Sequence, residues 1–275
     1  MLKLLNNRHA ALLQDKDLKN LEEIRLRVGQ PVLLCFRSGT ERCWPVLKQE
    51  DLEYTVSCAC RQSVYAYTET IRNGFITVEG GHRIGICGMG VLDGGEVKTI
   101  RSISSLSIRV AKEILGCADN LVDKLPGSVL IIGPPGSGKT TLLRDLVRQM
   151  SDRKGFRVAI ADERGEISAG VCGVPQLQVG SHSDVLLNIP KALAATMLLR
   201  TMNPQWIAMD EITSAEDVLA LEQISYCGVN LIATAHACDR NDLQKRPLYQ
   251  KLMALKVFRY IVTLNEDKTF KMEEA

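Results

Sequence analysis

The run GPPGSGKTT, from Gly133 to Thr141, has the residue types and spacing of a cradle for a nucleoside triphosphate. Its members are Gly133, Pro134, Pro135, Gly136, Ser137, Gly138, Lys139, Thr140 and Thr141. Backbone amides in such a turn point inward at phosphate oxygens, assisted by the positive end of the helix that follows. Glycine is needed because a side chain would hold the backbone away from the ligand. Lys139 would neutralise β- and γ-phosphate charge, and the Thr140 hydroxyl would hold Mg²⁺.

Two pairs of acids fit the same chemistry. Asp210 and Glu211 close the apolar run QWIAMDE, at the kind of carboxyl edge where open α/β sheets bind ligands. Asp210 suits the metal side, and Glu211 suits polarisation of the attacking water. Asp162 and Glu163, in ADERGEI, end another apolar run and can reach the γ-phosphate or its water. Arg164 and Glu166 read equally as a surface ion pair. His236, in TAHA, is placed either to report on the γ-phosphate or to sit as a satisfied buried histidine, and spacing leaves both open.

These residues need strands to carry them and helices to cover the strands. Five apolar runs, SVLIIG, RVAIADE, QWIAMDE, NLIATAHA and RYIVTL, alternate with helical patterns, which predicts a parallel sheet buried on both faces. GKTTLLRDLVRQM puts Leu142, Leu143, Leu146, Val147 and Met150 on one helical face. Ser214 with Asp217 three residues later predicts a capping box, and Gly228 ends that helix.

The first half reads differently. Residues 21–36 form two extended segments joined at Gly29 and Pro31, and residues 50–72 have helical spacing, stopped by Asn73 and Gly74. GFITVEGGHRIGICG and LDGGEVKTI carry tight-turn glycines between β-prone runs, and SLSIRVA alternates apolar and polar positions. The expected organisation is a small N-terminal α+β domain over residues 1–115, a linker over 116–128 and an α/β domain over 129–275.

Composition narrows the function classes. An apolar content of 45% is ample for a core in each domain, and the formal charge of +2 is nearly balanced, with zero net charge over residues 129–275. That argues against a nucleic-acid groove. Nine scattered cysteines with no CxxC spacing read as reduced thiols in a cytoplasmic protein. There is no secretory leader pattern and no run of about 20 apolar residues, so the chain is expected to reach a membrane only through partners.

In their order, the phosphate loop, ADERGEI, LLRTMNPQWIAMDEI and ATAHA resemble the four successive boxes of the type II and type IV secretion ATPases. Within that superfamily EIRLRVGQPV, GFITVEGGHRIGICG, SLSIRVAKEI and ADERGEI resemble segments of the stage III sporulation protein AA family of spore-forming Firmicutes. The resemblance implies a RecA-like P-loop core that hydrolyses ATP with Mg²⁺ behind a mobile N-terminal domain. It further implies a homo-oligomeric, hexameric ring serving integral membrane proteins of a sporulation channel on the mother-cell face. It makes Asp162 and Glu163 the Asp box, with Asp162 on the metal side, Asp210 and Glu211 the Walker B pair, and His236 the His box. Arginines of the N-terminal domain, with Arg83, Arg101 and Arg109 in the matching segments, are implied to complete the site. Two departures stand out: Thr213 follows Ile212 where secretion ATPases often carry arginine, and the four-cysteine insertion of many type II members is missing. The leading expectation is an ATP-driven motor. A RecA-like nucleic-acid translocase and a monomeric nucleotide switch are the alternatives.

Overall fold

The computed structural model describes residues 2–14, 16–18, 20–60 and 74–275. The chain divides into two units, Met1–Lys112 and Glu113–Ala275. Each has its own sheet and its own core.

The first unit contains β1 (Leu21–Arg27), β2 (Pro31–Phe36), β3 (Gly39–Val46), β4 (Phe75–Thr77), β5 (Arg83–Asp93) and β6 (Glu96–Arg109). Among its described residues are helices α1 (Asn7–Gln14) and α2 (Gln49–Ala59). The sheet order is β3-β2-β1-β6-β5-β4 with every neighbour antiparallel. In β1 the apolar Ile24 and Leu26 turn inward while Arg25 and Arg27 face out, the alternation of a strand with one wet face. LDGGEVKTI and SLSIRVA, which read as separate segments, belong largely to one long strand, β6, paired with β5 along its length. The helical pattern expected over residues 50–72 begins as α2, and residues 61–73 lie outside the described residues.

The second unit contains β7 (Val129–Ile132), β8 (Val158–Asp162), β9 (Ser183–Leu187), β10 (Trp206–Met209), β11 (Asn230–Ala235), β12 (Tyr260–Leu264) and β13 (Phe270–Glu274). The order is β13-β12-β7-β11-β10-β8-β9, parallel throughout except for the antiparallel β12–β13 edge. Its helices are α3 (Asp119–Val122), α4 (Lys139–Asp152), α5 (Lys191–Thr201), α6 (Ala215–Tyr226), α7 (Arg240–Lys245) and α8 (Pro247–Ala254).

The all-apolar strands follow from burial on both faces. Leu130 and Ile132 of β7 pack with Ala194, Leu198, Leu221 and Leu252, whereas Val129 and Ile131 pack with the Leu142, Leu143, Leu146, Val147 and Met150 stripe of α4. Helices therefore cover both sides of the sheet. Fully buried side chains such as Leu143, Leu146 and Val147 each contribute about 1.5–3 kcal/mol relative to exposure.

Two strands were not expected. β9 is half-buried along its whole length, and β13 carries Lys271, Glu273 and Glu274 on a charged edge, so neither shows the apolar run of the central strands. The segment over 116–128, read as a linker, packs into the second unit. Ala118, Leu121, Val122 and Leu125 enter the core under α4, and the Ala118 amide donates to Asp145 Oδ2 at 2.8 Å. Its glycines bracket a short helix rather than a free tether. Among the described residues, no helix is long and apolar enough to cross a membrane.

Candidate active site

The loop from β7 into α4 is shaped by its glycines. Gly136 and Gly138 have φ of +73° and +100°, a region that glycine enters without penalty. A Cβ on Gly133 would lie 2.8 Å from the Leu264 carbonyl oxygen and 2.6 Å from Ser137 Oγ, so the loop closes tightly against the end of β12. Ser137 Oγ is buried and has no hydrogen-bond partner among the described residues, an unusual state for a hydroxyl. A phosphate oxygen would satisfy it.

Lys139, at the start of α4, is buried and turned back onto the loop. Its ammonium donates to the carbonyls of Gly133 at 2.9 Å and Pro134 at 3.0 Å, and its third contact is His236 Nδ1 at 3.1 Å. Burial pulls its pKa below the usual lysine value, and the carboxylates of Glu211 and Asp210 oppose that effect. Since Lys139 only donates, His236 Nδ1 must accept and Nε2 must carry the ring proton. That Nε2 meets Glu211 Oε1 at 2.8 Å. Lys139, His236 and Glu211 thus form one hydrogen-bonded chain, in which the His236 side chain is partly exposed.

Asp210 and Glu211 follow β10 and are held from β11. Thr140 Oγ1 donates to Asp210 Oδ2 at 2.7 Å, and Thr234 Oγ1 donates to Oδ1 of the same carboxylate. The Thr234 hydroxyl also accepts from the Glu211 amide at 2.8 Å, so one side chain fixes both acids. Glu211 has φ of +52°, rare for a residue with a side chain, which turns its carboxylate toward His236. Burial raises the Asp210 pKa against the lowering effect of the two threonine bonds. A buried carboxylate with hydroxyl neighbours beside a phosphate loop is a suitable donor set for hydrated Mg²⁺.

ADERGEI is arranged differently from expectation. The Asp162 carboxylate accepts from the amides of Glu166, Ile167 and Ser168 at 2.8–3.1 Å and from Ser168 Oγ at 2.7 Å. With both oxygens committed and 2% exposure, Asp162 organises the turn after β8 rather than offering a free metal ligand. Glu163 faces the start of α5, where it accepts from the Lys191 amide at 3.3 Å and lies 3.8 Å from its ammonium. Arg164 lies 3.6 Å from Glu211 Oε2. Glu163, Arg164, Lys191, Asp210 and Glu211 line one small cleft.

A match to the sporulation stage III protein AA family model extends over residues 1–272. The chain belongs to that family. A stage III sporulation protein AA from Bacillus subtilis (strain 168) is 38% identical over 256 residues, covering 90% of this chain and 83% of that protein. Among solved structures, the pilus retraction motor PilT with bound ADP superposes with a TM-score of 0.61 at 17% identity, covering 88% of this chain and 74% of that one. The ATPase DotB of Legionella pneumophila gives 0.59 at 16% identity, covering 96% and 76%. The fold is therefore that of the secretion ATPases, a RecA-like core with a smaller N-terminal α+β domain.

Within this family member, the three arginines expected from the N-terminal domain lie on its sheet. Arg83 stacks 3.9 Å over the Phe75 ring and is the register partner of Arg109. Both line a groove of about 490 Å³ with Glu23, Arg25 and Arg27. Arg101 lies farther along β6, opposite Met89, and is not in that groove. Several residues of the second unit carry no sequence signal. Lys191 is 8% exposed and bridges Glu163, Asp217 and Thr213. Arg144 donates from α4 to the Glu166 and Ile167 carbonyls, and Tyr249 of α8 accepts from the His236 amide while donating to the Ile212 carbonyl, both at 3.2 Å. Their partners come from distant parts of the chain, which a local pattern does not reveal.

Proposed function

We propose that this chain hydrolyses ATP with Mg²⁺ and works as the motor subunit of a ring, a hexamer, on the mother-cell face of a membrane-embedded sporulation channel. The observation that carries the ATPase reading is the chain Lys139–His236–Glu211 beside the Thr140–Asp210 pair, all at the carboxyl ends of β7, β10 and β11. The oligomer and its membrane partners rest on family membership and the secretion-ATPase fold. Nucleotide binding is supported by the likeness to a motor whose structure holds ADP.

Triphosphate would seat on the backbone amides of residues 136–141, with the unpartnered Ser137 hydroxyl donating to an oxygen. Lys139 would then exchange its contacts with the loop carbonyls and His236 Nδ1 for β- and γ-phosphate. Mg²⁺ would supply charge neutralisation on the phosphate oxygens, held through Thr140 and Asp210. Glu211 would orient the attacking water and take its proton, and the Nε2–H of His236 would hold that carboxylate in place. Once Lys139 leaves, His236 Nδ1 loses a donor, so the histidine can signal occupancy of the phosphate site to Glu211. Glu163 and the first unit's Arg83, Arg101 and Arg109 are proposed as supporting charges. Asp162 is retained only as the organiser of the turn carrying Glu163.

Hydrolysis by the purified full chain, measured with Mg-ATP, tests the proposal. Lys139→Ala is expected to lower the rate on the order of 10²-fold or more. A rate equal to wild type would remove the loop from the mechanism.

A further inference from the structure

Lys268 is a cation in contact with the loop that the proposed mechanism leaves unused, and it comes from an element that no motif marks. It sits in the turn between β12 and β13, and its ammonium donates to the Gly136 carbonyl. Its stem lies along the second half of the loop, with Cδ 3.8 Å from where a Cβ on Gly138 would stand.

The placement is built rather than accidental. β12 pairs in parallel with β7, Thr263 opposite Ile132, which brings Leu264 against Gly133 and the turn over the loop. Within the turn, the Asn265 amide donates to the Thr269 carbonyl at 2.9 Å and Asn265 Nδ2 to Thr269 Oγ1 at 2.9 Å. The Lys268 amide donates to the Asn265 carbonyl at 3.1 Å. Lys268 itself takes φ of +71°, a conformation uncommon outside glycine. These bonds aim the side chain at the loop from a fixed base. In the same loop, the buried and unpartnered Ser137 hydroxyl independently marks a donor awaiting an acceptor.

We infer that Lys268 is a second phosphate-contacting cation of the site, resting on the Gly136 carbonyl when the loop is empty and moving onto a phosphate oxygen of the bound nucleotide. A carbonyl leaves the ammonium charge uncompensated, whereas an anionic oxygen compensates it. The four-carbon stem permits the short move without displacing the turn. The inference rests on reading the loop as a nucleotide site. It adds a contact from the sheet edge, opposite in the strand order to the side holding β10 and β8.

The test is titration of the full chain with fluorescent analogues of adenosine, ADP and ATP, comparing wild type, Lys268→Met, Lys268→Arg and Lys139→Ala. Lys268→Met keeps the stem length and removes the charge at an exposed turn. It should weaken ADP and ATP about tenfold, leave adenosine unchanged and flatten the salt dependence of binding. Lys268→Arg should restore most of the affinity. Di- and triphosphate affinities within twofold of wild type would overturn the inference. So would an equal loss for adenosine, or failure of arginine to rescue, since either would reduce Lys268 to a prop for the loop. Wild type binding no nucleotide, or Lys139→Ala binding as wild type does, would sink the reading of the loop and this inference together. Failure in the Lys268 arms alone leaves that reading standing.

Discussion

At the scale of single residues, the site is a balance of charges drawn into the fold before any ligand arrives. His236 touches the Lys139 ammonium through one nitrogen and the Glu211 carboxylate through the other. Replacing it with alanine should therefore disconnect binding from turnover. His236→Ala is expected to lower kcat between about tenfold and a hundredfold, with ATP affinity within a fewfold of wild type, readable from steady-state rates beside equilibrium titration. Asp210 makes a second case. Its pKa is raised by burial, so the folded state disfavours its ionised form. A carboxyl with a raised folded pKa contributes stability below its unfolded pKa, and that contribution is lost as pH rises through the folded value. Asp210→Asn removes this effect. The variant should unfold at a higher temperature than wild type near neutral pH, by about 2–4 °C for each kcal/mol gained. The gap should close as pH falls into the ordinary carboxylate range, while Mg²⁺-dependent hydrolysis is lost at every pH. A pH-independent gap would place the origin elsewhere than in Asp210 ionisation.

At the scale of elements, the turn after β8 shows how a buried acid can serve structure. Asp162 accepts from three amides and one hydroxyl of the turn that follows it. Asp162→Ala would leave those donors unpaired, at a cost of about 3–5 kcal/mol in denaturant unfolding, far more than a removed surface metal ligand would give. Gly180 makes a steric counterpart on the way into β9. Its φ is +98°, and an added Cβ would lie 2.4 Å from the Ser151 Cβ and 3.0 Å from the Arg148 carbonyl oxygen. Gly180→Ala should cost about 2–4 kcal/mol. These elements also show what a sequence reveals. The central strands were legible because burial on both faces demands unbroken apolar runs, and α6 because Ser214 and Asp217 form the capping box their spacing announces. β9 and β13 were not, since an edge position relaxes the demand for apolar residues. The loop over residues 133–141 was legible as a glycine-shaped strand-to-helix turn because its pattern is local. Thr234, Lys191, Arg144 and Lys268 act through partners brought from other strands and turns, and only the folded register joins them.

At the scale of the whole molecule, two units with separate cores share one chain, and the proposed nucleotide site lies in the second. The first contributes a groove with four arginines, Arg25, Arg27, Arg83 and Arg109, and one carboxylate, Glu23, which Arg25 Nε reaches at 2.8 Å. Such a surplus of positive charge calls for an anion, and in the proposed ring a triphosphate is the anion that every subunit would carry. A cation supplied between subunits can raise hydrolysis by about 10³ or more, so hydrolysis per molecule should climb with protein concentration. A single-chain switch would give a flat line instead. Glu211→Gln should hold the assembled state, because it keeps the hydrogen bond to His236 while removing the base that turns ATP over. Its mass in solution with Mg-ATP should rise from that of one chain to that of a ring, and Arg109→Ala in the same background should reduce that shift. Assembly of Glu211→Gln unaffected by Arg109→Ala would assign the groove another anion; a monomer throughout, with concentration-independent hydrolysis, would favour the switch over the ring.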